Sequence, residues 1–445
     1  MFIMVIERTN YMKIALVFCR IDHSFDQYPA GVFSIFESNP PLGPAAVGTI
    51  AQKKGFDVRV FDQLLDEYDN EQLLQAIELY HPDMVGFGCT SLNIDNSEIC
   101  ARLLHKKGYL TFAGGIHITL CADKVQKQAA FDFLICGEGE EIFSEVLDFW
   151  MKNHNLSTFK HKGFRWRDDF EDSGVAVLSE VNQPIINRDI IEIHRYKNKG
   201  ALLENQPCYS LFSSRGCPFS CQFCSKPEYF KLYRERSLDN VFEEIDLLVE
   251  KYDAQAISFR EDNFTVHPKR LEDFCHKMIQ KFNGKLFWEC ESRADMPIEL
   301  LPLMYRSGCR GIWCGIETIV PRWSEWIRKG LTKEQVIKFY DECQRIGIKT
   351  GALFMFGFPF QSRDELEEDI NFALSLPTVF SAFQCLAIFP GSPLYEYYKI
   401  HSELKHQVTD EVALALTEGK TWQEMIQLEY QINKRIQSVR LSYQN

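Results

Sequence analysis

DMVGFGCTSLNIDNSEICARLLHKKGYLTFAGG, residues 83–115, sets two short apolar runs around one longer amphipathic segment. The runs DMVGFGC (83–89) and YLTFAGG (109–115) are nearly continuous in apolar and small residues, as strands covered on both faces must be. NSEICARLLHKKG between them has the mixed apolar and charged pattern of a surface helix. Strand, helix and strand in that order form a parallel unit, and the unit recurs on either side. KIALVF (13–18), DVRVF (57–61) and DFLICGEG (132–139) supply further strands, and NEQLLQAIELY another helix. Five such units predict a doubly wound, Rossmann-like parallel sheet over residues 1–152, which binds ligands beyond the carboxyl ends of its strands.

Residues 153–205 break that rhythm. GFRWRDDFEDSGVAVLSE reads as a hairpin turning at Asp172-Ser173-Gly174, followed by a connector bearing Pro and Asn, hence a linker. A second alternating array fills 206–395. Its strands are CYSLFSSRG, QAISFRE (255–261), KLFWECESR (285–293), CRGIWCGIE (309–317), IKTGALFMFGFP (348–359) and FSAFQCLAIFP. Six strand–helix units predict a partial (β/α)6 barrel with function at the carboxyl ends of its strands. Residues 396–445 read as a short, polar, helical tail that caps the barrel, with a lid over a pocket as the alternative. The fold class is α/β throughout.

The balance of 49 basic against 62 acidic residues, a net charge of −13, argues against a nucleic-acid partner, whose phosphates call for clustered Lys and Arg. No apolar run reaches the ~18–20 residues of a membrane span. MFIMVIERTNYM is interrupted by Glu7 and Arg8, and reads as a leader into the first strand rather than a signal peptide. Fifteen cysteines, mostly scattered through apolar stretches such as those of Cys19, Cys89, Cys136 and Cys385, suit a reducing, cytoplasmic compartment.

Three cysteines are not scattered. SSRGCPFSCQFCSK (213–226) places Cys217, Cys221 and Cys224 on a Gly-Cys-Pro turn after the first barrel strand. A structural zinc site needs a fourth Cys or His, and none follows before His267. A protein-ligated cluster needs four thiolates, which remote Cys208 or Cys290 would have to complete. The remaining reading is a [4Fe-4S] cluster with one iron left open, as catalytic metal sites keep a position for substrate.

The spacing C-x3-C-x-aromatic-C, with Phe223 as the aromatic, resembles the loop of radical S-adenosylmethionine (SAM) enzymes. The resemblance implies that the three cysteines hold the cluster, that SAM chelates the open iron, and that its reductive cleavage yields a 5′-deoxyadenosyl radical. It also implies an external electron donor such as flavodoxin or ferredoxin, and sensitivity to oxygen. SFREDNF, ECESRAD, GIWCGIET and FMFGFP end the following strands. They offer Glu261, Glu291, Ser292, Arg293, Glu317 and Gly357, with Phe223, as SAM contacts. Strand-end charges that merely cap and pair with helices are the plainer alternative for each.

In the first domain Thr90-Ser91-Leu92 follow the third strand, Gly114-Gly115 and His117 the fourth, and Gly137-Glu138 the fifth. Leu42 and Gly43 stand on a Pro-rich lip, NPPLGPAAVG, at the same edge. A dinucleotide site would want G-x-G-x-x-G after the first strand, and it is absent. The Ser/Thr-x-Leu and Gly-Gly pair instead resembles a cobalamin-binding domain. With the barrel it makes residues ~13–395 similar to the cobalamin-dependent radical SAM enzymes, which implies cobalamin at these residues. One departure stands out: CRIDHSFDQYPAG lacks the D-x-H-x-x-G spacing that places a histidine below cobalt. His23 is better read as a loop residue, and the expectation is cobalamin without a protein ligand beneath. The activity implied is methylation of an unactivated carbon of a small molecule or natural product. Ring contraction or cyclisation with the same cofactors, and a non-catalytic iron–sulfur or metal-binding protein, are the alternatives. The substrate itself is not legible.

Overall fold

The computed structural model describes residues 12–21, 40–196, 200, 202–203, 207–226, 228–400, 413–414 and 422–444. They fall into two compact units, one ending at Tyr196 and one beginning after it.

In the first unit β1 (Lys13–Phe18), β2 (Asp57–Asp62), β3 (Met84–Gly88), β4 (Leu110–Gly114), β5 (Phe133–Ile135) and β6 (Phe164–Trp166) form one sheet in the order β2-β1-β3-β4-β5-β6. β1 to β5 are parallel. Helices α1 (Leu42–Lys53), α2 (Asn70–Tyr80), α3 (Ile94–Lys106), α4 (Ile116–Leu120), α5 (Ala122–Gln128) and α6 (Gly139–Asn153) lie between the strands. One apolar cluster joins Val17, Val85, Phe87 and Leu134 to α2 and α3; another joins Leu16, Phe112 and Phe133 to α1 and α6. The sheet is therefore covered on both faces, as its continuous apolar strands require.

The expected hairpin after α6 does not form. β6 pairs antiparallel with β5, and Ala176 bridges Gly137, so both limbs lie against the first sheet. The cause is burial: β6 covers what would be an open strand edge, and its Phe164 and Trp166 rings stack on Phe133 at 5.2 and 6.4 Å. The linker reading fails for the same reason. Ile190 is part of the core beneath α1, and the Tyr196 hydroxyl donates to Asp62 at 2.8 Å. Residues 153–196 thus complete the first unit.

In the second unit β7 (Cys208–Leu211) stops earlier than its sequence suggests. β8 (Ser214–Arg215) leaves the sheet and pairs with β9 (Arg234–Glu235). β7 then joins β10 (Ala256–Phe259), β11 (Phe287–Ser292), β12 (Cys309–Glu317), β13 (Lys349–Phe356) and β14 (Phe380–Cys385). All neighbours are parallel and consecutive, with β7 and β14 at the edges. That is an unclosed barrel. Helices α7 (Leu238–Tyr252), α8 (Pro268–Phe282), α9 (Leu301–Arg306), α10 (Pro321–Trp326), α11 (Lys333–Ile346), α12 (Arg363–Ser375), α13 (Pro393–Ile400) and α14 (Trp422–Gln444) complete the unit. α14 seals the β14 edge: Asn433 accepts from Phe383 N at 2.8 Å and donates to Phe383 O at 2.9 Å, and Glu429 accepts from Cys385 N.

Candidate functional site

At the carboxyl edge of the first sheet, strand order reverses between β1 and β3, which is where such sheets take ligands. Asn93 pins this point. Its amide donates to Cys19 O and Gly88 O, the carbonyls after β1 and ending β3, and its oxygen accepts from Thr90 N at 2.7 Å. Beside it the amides of Gln63, Asn70 and Asn96 bond one another in a ring at 2.7, 2.7 and 2.9 Å. Sequence reasoning passed over all four. Asn93 alone had a signal, an Asx residue three places after Thr90 at a helix start.

Ser91 and His117 meet here, Oγ to Nδ1 at 3.0 Å, with His117 buried. Thr90 bonds the Asn93 side chain, and Leu92 N donates to the Thr90 hydroxyl. Gly115 is exposed at φ +110, and a Cβ there would stand 2.5 Å from Cys89 O. Gly114 has room around it, and Gly43 meets nothing within 4 Å. Leu42 opens α1 beside it. The edge thus offers bare backbone flanked by small hydroxyls. Gly137 and Glu138 are engaged elsewhere: a Cβ at Gly137 would strike Ala176 O at 2.1 Å, and Glu138 accepts from Leu178 N at 2.8 Å. Both hold the 176–178 strand segment in place. His23 and its surrounding loop lie outside the described residues.

In the second unit the β8–β9 ribbon brackets the cysteine loop. Cys217 N donates to Phe230 O, Gln222 N to Ile327 O, and Leu394 N to Gln222 O, which tie the loop to three other segments. The Phe223 ring is half-buried against the apolar cluster of Trp323, Ile327, Phe358 and Leu386. Burial raises the Cys221 thiol and pushes Cys224 up to about 12, and each feels the charge of Cys217. No three of the described His, Cys, Asp or Glu side chains converge on one ion position. A four-iron cubane spreads its thiolates over separate corners and demands no such convergence.

The strand ends around this loop carry the other expected residues. Glu261, buried, accepts from the Ser213 hydroxyl and amide, and burial pushes it up to about 7. Burial likewise pushes Glu291 up to about 7, against the pull of Arg260. Ser292 shares a hydrogen bond with Thr265 at 2.6 Å. Arg293 chelates Asp295, donates to Lys329 O at 2.7 Å, and lies 4.0 Å over the Phe219 ring. Glu317, at φ +69 on a β12 bulge, pairs with Lys329 at 3.0 Å. Gly357 N donates to Gln361 at 2.8 Å. Lys329 gave no signal in the sequence.

Residues 211–373 match the radical SAM superfamily, and residues 30–147 match the B12 binding domain. This chain carries a radical SAM domain and a B12-binding domain. It is 29% identical over 370 residues to an uncharacterised methyltransferase of Pyrococcus horikoshii, covering 81% of this chain and 78% of that one. It is 26% identical over 397 residues to an anaerobic magnesium-protoporphyrin IX monomethyl ester cyclase of Rubrivivax gelatinosus, covering 83% and 68%. Its fold resembles that of the radical SAM methyltransferase TsrM of Kitasatospora setae, solved with cobalamin and a [4Fe-4S] cluster bound. That likeness has a TM-score of 0.69 at 16% identity, over 90% of this chain and 79% of that one.

The radical SAM domain implies a [4Fe-4S] cluster and SAM, and the B12 domain implies cobalamin. The donors present suit them. Three thiols on one tied loop match a cluster with an open iron, and bare glycine backbone at a switch point matches a flat macrocycle. Among the described residues no helix is long and apolar enough to cross a membrane.

Proposed function

We propose that this protein methylates an unactivated carbon of a small-molecule or natural-product substrate, drawing on SAM, a [4Fe-4S] cluster and cobalamin. The observation that carries the reading is the cysteine loop, tied at the carboxyl ends of parallel strands, in a chain that also has a B12 domain. When bound, the cluster and SAM supply a carbon radical that removes a substrate hydrogen, and cobalamin supplies the methyl group.

Cys217, Cys221 and Cys224 are the cluster ligands in this reading. Ser292 and Arg293 offer a hydroxyl and a cation to the ribose and carboxylate of SAM, and Gly357 offers bare backbone near its adenine. Glu261 and Glu291, near neutral pH poise, can hold a proton and donate to a ligand oxygen. Phe223 fixes the loop by packing. The first unit would hold cobalamin at Gly43, Ser91, Leu92, Gly114 and Gly115. Electrons come from a small reductant such as flavodoxin or ferredoxin in a reducing cytoplasm.

A second reading has a specific motive, since three relatives are named cyclases. It keeps the cofactors and ends in ring closure. One experiment separates the two: anaerobic turnover of candidate substrates with SAM carrying a trideuterated methyl group. Methylation predicts 5′-deoxyadenosine together with a product heavier by that labelled methyl. A product without label sinks the methyltransferase and leaves the cyclase. Failure to form 5′-deoxyadenosine under strong reductant would refute radical chemistry altogether.

A further inference from the structure

FGFPFQSRDELEEDI, residues 356–370, carries β13 through a Gly-Phe-Pro turn into α12. Beside it a cavity of about 520 Å³ opens between α12 and α14, a volume suited to a small molecule. It lies on the outer side of β13. The Phe354 ring meets Phe372 of α12 at 6.4 Å, and Phe356, two residues on, shares its face. Met355 points the other way and packs against the same apolar cluster as Phe223. The strand therefore separates the cavity from the cysteine loop.

Buried Phe356, Ile370 and Ile432 floor the cavity, and Leu366 and Leu428 form its walls. One floor residue is polar. Gln361 is 7% exposed, and its oxygen accepts from Gly357 N at 2.8 Å and Phe358 N at 3.4 Å. With the oxygen taken by the turn, the amide nitrogen is the polar atom left to the cavity. It is buried and has no hydrogen-bond partner among the described residues. A buried donor without an acceptor is a standing cost, which a ligand oxygen would remove. Charge at the rim favours an anion, since Arg363 and Arg435 stand there against Glu367 alone. Arg435 is already paired with Glu367 at 2.8 Å, whereas exposed Arg363 meets no carboxylate among the described residues. Its neighbour Glu365 is taken by Arg322 and by Ser362 N. α14 runs beside α12 in the same direction, because Arg435 meets Glu367 and Arg440 meets Ala373 O. Gln361 and Arg363 thus mark one end of a groove whose apolar stretch continues along both helices. From Arg363 to Ile370 that stretch is about 10 Å long.

We propose that this groove binds a medium-chain monocarboxylate, with its head on the Gln361 amide nitrogen and the Arg363 guanidinium and its tail between α12 and α14. A carboxylate oxygen satisfies the buried donor, and the charge satisfies the unopposed cation. Leu366, Ile370, Leu428 and Ile432 take the chain out of water. The site lies across β13 from the cysteine loop and touches the residues given to SAM only through Gly357, whose N–H Gln361 holds. The proposal therefore stands apart from the reaction.

The experiment is equilibrium dialysis of the reconstituted full chain at pH 8 against radiolabelled octanoate, whose extended chain matches the apolar length. Saturable binding at one site per chain is expected, with octan-1-ol about tenfold weaker or worse. Gln361→Glu keeps the acceptor for Gly357 N and sets an anionic oxygen where the free amide stood, so octanoate binding should vanish. Leu428→Trp fills the groove and should also abolish it. Arg363→Gln removes the cation and should weaken binding about tenfold. Melting temperatures near wild type show that each variant folds. Absence of saturable octanoate binding in the wild type, equal affinity for octan-1-ol, or undiminished binding by Gln361→Glu or Leu428→Trp overturns the proposal. Should Gln361→Glu fail to fold, Arg363→Gln and Leu428→Trp decide: losses in both support, and wild-type binding in either refutes.

Discussion

Asp369 shows how much a single buried residue can hold. It has no exposed surface, accepts from Ile319 N at 2.7 Å and from the Thr318 hydroxyl at 2.8 Å, and so fixes the turn directly after Glu317. Burial pushes its carboxyl up to about 7, in spite of these two donors. An unfolded Asp titrates near 4. The folded state therefore binds the proton more tightly, and the stability this confers is complete below about pH 4 and lost as pH rises through about 7. Glu261 and Glu291 act in the same sense. The cofactor-free chain should thus melt at a lower temperature at pH 8 than at pH 5. Asp369→Asn should flatten that slope in scanning fluorimetry, and an unchanged slope would contradict the assignment. At this scale the cysteines were legible because their spacing is rare and their chemistry narrow. Lys329 and Asn93 were not, because their meaning lies in partners elsewhere in the chain: Glu317 and Arg293 for one, Cys19 for the other.

Among elements, the helices and parallel strands follow from apolar periodicity, which is a local property. Pairing at the edges does not. β6 and β8 have ordinary strand composition, and the sequence offers each a neighbour it does not take. β5 needs an edge partner with apolar faces, and Phe164 and Trp166 provide it. β14 meets the same problem and solves it with a helix. Asn433 on α14 occupies both hydrogen-bonding groups of Phe383, which would otherwise be open to another strand. Asn433→Ala leaves both buried groups without that partner and should cost about 1–3 kcal/mol in urea unfolding. Wild-type stability in this variant would mean that α14 only rests on the edge.

For the whole molecule, the division into two units with different donor sets predicts separable cofactor binding. Replacing Cys217, Cys221 and Cys224 by Ala should abolish iron while the visible spectrum of bound cobalamin persists. Gly115→Ala, whose Cβ collides with Cys89 O, should do the reverse, losing cobalamin while iron content stays near wild type. Joint loss of both cofactors in either variant would refute independence. By itself the sequence determined two α/β arrays, the loop that suits a cluster, and the edge that suits a macrocycle. Each of these is written in local spacing, where hydrophobic period and ligand chemistry act over a few residues. Only the tertiary structure decided that residues 153–196 finish the first sheet, that Gly137 and Glu138 hold neighbouring chain, and that Lys329 pairs with Glu317. Those outcomes depend on which distant backbone needs a partner and where a buried charge finds its opposite, and local spacing carries neither.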